Sequence, residues 1–349
     1  MPPRRRRSER AQRRWPALVL IALSAIAGVM FWAYTPELPR ELLIQRYANA
    51  QSQFLDVGGV RAHVRDEGNP DAMPLLMIHG SLGSLQVWEG WVRELKNRYR
   101  LISVDLPGHG LTGPWPREEY TVEAYTDFIE VLADTLQLDR FAIAGQSMGG
   151  AVAWSFAASR PERVTELILV DSAGYPREGQ SPFQLQIARW RGLGDIGIYF
   201  KPEPMLKRAL SDTYADPAMV TPERLQRYGD LQRFPGNRAA TLKRLRTQEP
   251  LDPTTLRHLD VPTLILWGGK DRQIPVADAQ RFKSDIKGSQ LVVFEELGHA
   301  PMEEDPKATA DAVAAFLPTE APPPPTPPPA APPNNSDQMV APSIVPEKD

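Results

Sequence analysis

Residues Phe141–Gly150 read FAIAGQSMGG, a short apolar run that ends in the pentapeptide Gly145-Gln146-Ser147-Met148-Gly149 and passes without a break into AVAWSFAASR. The order is strand, sharp turn, helix. A turn this tight holds Ser147 in a strained backbone conformation and projects its hydroxyl above the end of the strand. Glycines flank the serine because side chains at those positions would collide with the neighbouring backbone.

The rest of the chain supplies the sheet that such a turn requires. Phe54–Asp66 alternates apolar and polar residues on both sides of Gly58-Gly59, which predicts a β-hairpin. Short, nearly continuous apolar runs then recur at Leu75–Ile78, Leu101–Val104, Phe141–Ala144, Leu167–Val170, Leu264–Trp267 and Leu291–Phe294. Runs of this kind are strands buried on both faces. Helix-length segments around Gln86–Asn97, Val122–Leu138 and Met148–Ser159 separate the first four. The alternation predicts an α/β fold, a mostly parallel sheet covered by helices and opened by an antiparallel hairpin.

One interval departs from the rhythm. Residues 174–260 contain no strand-like run but offer helical stretches at Phe183–Arg191, Glu203–Leu210, Glu223–Arg233 and Arg238–Arg246. A structureless loop of that length is improbable inside a compact domain, so the segment reads as an inserted helical cap. It divides the α/β core into residues 54–173 and 261–317. Phe183, Trp190, Tyr199, Phe200, Met205 and Tyr214 of the cap are either lining for an apolar pocket or ordinary packing against the core.

Both ends of the chain differ from this middle. Residues 1–14 carry seven arginines and one glutamate, whereas the chain as a whole has a formal net charge of −3, so the basic charge is terminal and no nucleic-acid-binding face is indicated. Residues 15–34 follow without a charge, about the length of a bilayer-crossing helix, with Trp15, Trp32 and Tyr34 at its ends. The arginines on one side predict a single-pass signal anchor with a cytoplasmic N-terminus and an exported catalytic domain. Ala25-Ile26-Ala27 offers the alternative of a cleaved signal peptide and a secreted protein. Residues 35–53 read as a linker with a short helix around Glu37–Tyr47, and residues 318–349 as a Pro-rich tail, either an unstructured extension or a ligand for a Pro-binding partner.

Besides the serine turn, the chain carries His79-Gly80-Ser81-Leu82-Gly83 after the Leu75–Ile78 run, the turn Asp105-Leu106-Pro107-Gly108-His109-Gly110-Leu111-Thr112, the W-G-x-x-D stretch ending at Asp271, and His299 after the last apolar run. In this order they resemble the α/β-hydrolase superfamily, serine-nucleophile branch, over roughly residues 54–317. The resemblance implies that Ser147 is the nucleophile, that His299 is its base and that Asp271 orients the histidine. Asp171, directly after Leu167–Val170, is the alternative acid, because some members place it one strand earlier. The oxyanion hole is implied at the Met148 N–H and at the Ser81 N–H, with Leu82 as the alternative to Ser81. Of the other histidines, His63 lies in the hairpin, His79 and His109 in glycine-rich turns, and His258 in a polar stretch.

The chain has no cysteine, which excludes disulfides, thiolate metal sites and a cysteine nucleophile. Nor does it show a metal-ligand cluster, a phosphate-binding Gly-Lys loop or a dinucleotide fingerprint, so no cofactor is expected. A serine at the turn disfavours the epoxide and halide chemistry of relatives that carry aspartate there. The expected activity is hydrolysis of a carboxylic ester with an apolar acyl or alcohol part. The alternatives are hydrolysis of a C–C bond in a diketone-type compound, as in the meta-cleavage-product hydrolases that the H-G-S loop and S-M-G elbow resemble, and a non-catalytic scaffold that kept the fold.

Overall fold

The computed structural model describes residues 6–176, 190–200, 202–247 and 249–321. Most of the stretch expected as a helix at Phe183–Arg191, the cap residue Phe183, and the Pro-rich tail from residue 322 lie outside the described residues.

Eight strands form one sheet: β1 (Ser52–Val57), β2 (Val60–Gly68), β3 (Pro74–Ile78), β4 (Arg100–Val104), β5 (Phe141–Gln146), β6 (Val164–Val170), β7 (Thr263–Gly268) and β8 (Gln290–Phe294), in spatial order β1-β2-β4-β3-β5-β6-β7-β8. β1 and β2 are an antiparallel hairpin, β2 pairs antiparallel with β4, and every later pairing is parallel. The hairpin closes with Val57 opposite Val60, and both residues between them, Gly58 and Gly59, have positive φ. That is the two-residue turn whose twist matches the strands it joins.

Helices α1 (Arg6–Ala33) and α2 (Arg40–Tyr47) precede the sheet; α3 (Glu89–Leu95), α4 (Val122–Thr135) and α5 (Met148–Ser159) lie between strands. The insertion after β6 carries α6 (Leu193–Gly197), α7 (Glu203–Ser211), α8 (Pro222–Gln232) and α9 (Asn237–Thr247), and the chain closes with α10 (Val276–Asp285), α11 (Pro301–Glu304) and α12 (Pro306–Phe316). Alternate residues of each central strand enter opposite layers, as the pleat dictates. Leu76, Ile78 and Ile143 pack with Phe128, Trp154 and Phe156 on the α4–α5 side. Leu75, Met77 and Ala144 pack with Trp88, Trp91 and Val313 on the other.

Two features of the flanking segments affect the site. Over Trp15–Ala33, α1 has a mean hydropathy of 2.2 and none of its surface is buried by the chain, so by length and composition it is able to cross a membrane. The stretch read as a linker is packed. Thr35 N–H donates to the Tyr199 carbonyl at 2.8 Å and Leu38 N–H to the Arg233 carbonyl at 2.8 Å, while Leu43 is fully buried with Leu111, Leu231 and Phe234. Arg46 and the Tyr47 hydroxyl both meet the Asp230 carboxylate.

Because β3, β5, β6, β7 and β8 run parallel, the loops that follow them emerge at one edge of the sheet, which is where open α/β sheets place their sites. Those loops carry Ser81, Ser147, Asp171, Asp271 and His299.

Candidate active site

The turn between β5 and α5 holds Ser147 at φ 53°, ψ −118°, a conformation that residues with side chains rarely adopt. The backbone fixes it there. Ser147 N–H donates to the Val170 carbonyl at 3.0 Å, and its own carbonyl accepts from Gly150, Ala151 and Ala173. A Cβ on Gly145 would overlap the Gly149 carbonyl, and one on Gly149 would overlap the carbonyls of Ile78 and His79. The flanking glycines therefore let the turn press against both the helix behind it and the loop after β3.

His299 and Asp271 meet at this edge. The ring Nδ1 of His299 stands 2.7 Å from Asp271 Oδ2, and the pair is almost completely buried. The other oxygen of Asp271 accepts from the backbone N–H groups of Gln273 at 2.6 Å and Ile274 at 3.0 Å, so the carboxylate is oriented by its own loop. With Nδ1–H turned to the carboxylate, Nε2 presents a lone pair.

Asp171 lies behind this pair rather than in it. Oδ1 accepts from Gly268 N–H at 2.9 Å, and Oδ2 has no partner among the described residues. Burial, followed by the neighbouring Asp271 charge, raises the pKa of its carboxyl group well above the usual carboxylate range. Burial thus favours the neutral form of Asp171 beside Asp271. The carboxylate oxygens and ring nitrogen of Asp171, Asp271 and His299 lie within 4.8 Å of one another, a spacing that metal ligands also show. Here the donor atoms fit an ion poorly, since burial disfavours the charged form of Asp171 and the histidine nitrogen already faces Asp271.

The loop after β3 meets the serine turn directly. A Cβ on Gly80 would run into the Gln146 side chain and sit 3.0 Å from Ser147 Cβ. The N–H groups of Ser81, Leu82 and Met148 have no acceptor among the described residues. Leu82 is itself at φ 62°. The fully buried His79 braces this loop. Its Nε2 accepts from Leu106 N–H at 3.1 Å, which places the ring proton on Nδ1, 2.7 Å from the Gly80 carbonyl. Burial lowers its pKa and keeps the ring neutral.

The remaining histidines are accounted for away from the serine. His63 bridges Asp105 at 2.7 Å and Ser52 at 2.8 Å inside the fold. His109 is buried next to His79, and His258 is exposed. Of the cap side chains considered for a pocket, Tyr214 is core, with its hydroxyl donating to Glu303 at 2.8 Å, whereas Trp190 and Met205 are exposed.

Several residues that hold the site together carry no sequence signal of their own. Gln146, the variable residue before the serine, donates from Nε2 to the His299 carbonyl at 2.9 Å and so ties the two loops. Glu304 accepts from Gly298 N–H and Ala215 N–H, both at 2.8 Å, and His299 N–H donates to the Thr213 carbonyl at 2.8 Å. Glu303 collects the hydroxyls of Tyr214 and Tyr228 and the guanidinium of Arg227. The histidine loop is therefore tied to the insertion after β6 as well as to the serine turn.

This fold and this edge have known counterparts. The profile of the alpha/beta hydrolase fold family matches residues 73–306. An uncharacterized protein of Mycobacterium tuberculosis is 32% identical over 286 residues, covering 77% of this chain and 82% of its own. A 2-hydroxy-6-oxo-2,4-heptadienoate hydrolase of Pseudomonas putida is 29% identical, covering 75% of this chain and 95% of its own. Among solved structures, a bacterial membrane phospholipase A superposes with a TM-score of 0.67 at 26% identity, covering 87% of this chain and 98% of its own. The eight-stranded sheet, the serine turn at its edge and the profile match across most of the chain lead to one conclusion: the chain is a hydrolase of the α/β-hydrolase fold family.

Proposed function

We propose that the chain is a membrane-anchored serine hydrolase that cleaves a carboxylic ester through an acyl-enzyme on Ser147. The observation that carries this reading is the strained Ser147 at the sheet edge that also bears the His299–Asp271 pair at 2.7 Å. In the proposed reaction His299 Nε2 takes the Ser147 hydroxyl proton as Oγ attacks the ester carbonyl. Asp271 holds the Nδ1–H tautomer and stabilises the imidazolium that forms. The N–H groups of Met148 and Ser81, with Leu82 as the alternative to Ser81, receive the oxyanion, each donor contributing a factor of about 10² to 10³. The imidazolium then protonates the leaving alcohol, and water activated by the same nitrogen releases the acid.

The anchor is proposed to be the apolar part of α1, with the arginine-rich end in the cytoplasm and the hydrolase domain exported; the alternative is a secreted form released by cleavage in that segment. The likeness to a membrane phospholipase A supports an ester of a lipophilic acid. The 29% identity to a dienoate hydrolase supports a second reading, hydrolysis of a C–C bond in a diketone-type compound by the same residues.

Labelling with a fluorophosphonate probe, compared between wild type and Ser147→Ala, tests the nucleophile. Labelling that disappears in the variant supports the reading, and a folded wild type that takes no label removes it. Product analysis on p-nitrophenyl esters of increasing chain length and on a vinylogous diketone then separates the two reactions. Fractionation after carbonate wash tests the anchor, since an integral protein stays with the membrane.

A further inference from the structure

Arg244 of α9 is 6% exposed and makes no ion pair among the described residues. Its guanidinium donates to the Ser81 hydroxyl through Nη2, and its Nε, also buried, has no partner among those residues. Its buried ionisable neighbours bring no negative charge. Burial raises the pKa of the Tyr125 phenol, and His109 is pushed well below its ordinary pKa by burial, with the nearby Arg244 acting in the same direction. A guanidinium stays charged at neutral pH, so this is a cation enclosed without a counter-charge among the described residues.

Such an arrangement is unfavourable unless something else supplies the anion. Arg244 lines a cavity of 610 Å³ together with Met148, and the apolar walls of that cavity include Tyr120, Val122, Trp154 and Leu251. Its acidic residues, Glu123, Asp127, Glu249 and Asp252, are all exposed. The lining of the cavity therefore combines exposed acidic residues with a buried cation; that cation touches Ser81, and Met148, whose N–H is the other proposed oxyanion donor, lines the same cavity.

From this we infer that Arg244 is the receptor for an anionic group on the substrate, so that the preferred ester carries a carboxylate or a phosphate as well as the scissile bond. The inference rests on the serine-hydrolase reading for its chemistry but not for its binding step. The bidentate fork of the guanidinium suits either anion. Arg244 is a specificity residue in this scheme, and Ser147, His299 and Asp271 perform the reaction.

Two substrate pairs test the inference and distinguish a soluble carboxylate from a lipid phosphate: 4-nitrophenyl hydrogen glutarate against 4-nitrophenyl hexanoate, and 1-oleoyl lysophosphatidate against 1-oleoylglycerol. In Arg244→Met the ratio of kcat/KM for the anionic over the neutral member is expected to fall at least tenfold in one pair, with Arg244→Lys recovering part of it. If Arg244 served only to position the Ser81 loop, both members would slow together; a ratio that moves less than threefold in both pairs overturns the inference. Binding is read separately in the Ser147→Ala protein by calorimetry with monomethyl glutarate and with glycerol 1-phosphate, using melting curves to confirm folding. Affinity at least tenfold weaker after adding Arg244→Met supports the anion site even in a protein that turns over no ester, and equal binding, or none, in both proteins overturns it.

Discussion

Asp171 stands as a buried acid beside Asp271, and of the two only Asp271 hydrogen-bonds the histidine. The two acids at neighbouring strand ends thus have different surroundings, and burial favours the neutral form of Asp171. Asp271→Asn is expected to lower kcat by about 10⁴, because the amide favours the wrong histidine tautomer. Asp171→Asn replaces one neutral group by another of the same shape and should cost less than about tenfold. Steady-state kinetics of the two variants checks the assignment, and equal losses would place Asp171 in the reacting set.

The same acid predicts a pH-dependent stability. The folded pKa of Asp171 is raised, so above the unfolded value the folded chain binds this proton more tightly than the unfolded chain does. Its stabilising effect relative to asparagine is present below about pH 4, the unfolded value, and is lost as pH rises from there. Asp171→Asn should therefore melt at a higher temperature than wild type at pH 7, with the gap closing toward pH 4. Differential scanning across that range measures it, and a gap independent of pH contradicts the protonated state.

Asp105 behaves in the opposite sense. Burial alone would raise its pKa, but the hydrogen bond from His63 and the Leu111 N–H hold it at about 2. The depressed value contributes stability above the unfolded pKa of about 4, of the order of 2 kcal/mol, which is lost as pH falls through about 2. His63→Phe, which leaves Asp105 buried without its partner, should destabilise the fold by about 3 kcal/mol in urea titrations.

Gln146 and the histidine loop offer a test of positioning. Gln146→Leu keeps the volume but removes the donor to the His299 carbonyl. A histidine released from that tie should cost between about tenfold and 10² in kcat with little change in KM, since small misplacements of a base are expensive. Glu303→Gln, by contrast, weakens the junction with Tyr214, Tyr228 and Arg227, and its expected effect is on melting temperature, by about 3 kcal/mol of stability.

Much of this architecture was legible from residue pattern. The sheet could be read because strands buried on both faces leave unbroken apolar runs, and the serine turn because its glycines answer to backbone collisions that no other residue avoids. His299 and Asp271 follow strands and sit in loops, where polar residues stand out. Asp171 stood out only as the alternative acid, and Gln146 did not stand out at all, since a neutral amide reveals its function only through what it touches. Arg244 was hidden for a different reason. α9 reads NRAATLKRLRT, a polar helix with basic residues on several sides, and periodicity cannot tell which of those cations is enclosed.

The packed stretch between α1 and β1 bears on how the protein can be shortened. Arg238 and Tyr199 hold Thr35, Arg233 holds Leu38, and Tyr47 reaches Asp230 in the cap while its carbonyl accepts from Arg65 of the core at 2.9 Å. These residues form a strap that fastens two layers of the molecule. A chain that begins at Thr35 keeps the strap, and one that begins at Ser52, where the sheet starts, loses it and leaves the helices inserted after β6 tied to the rest only through contacts such as those of Glu303 and Glu304.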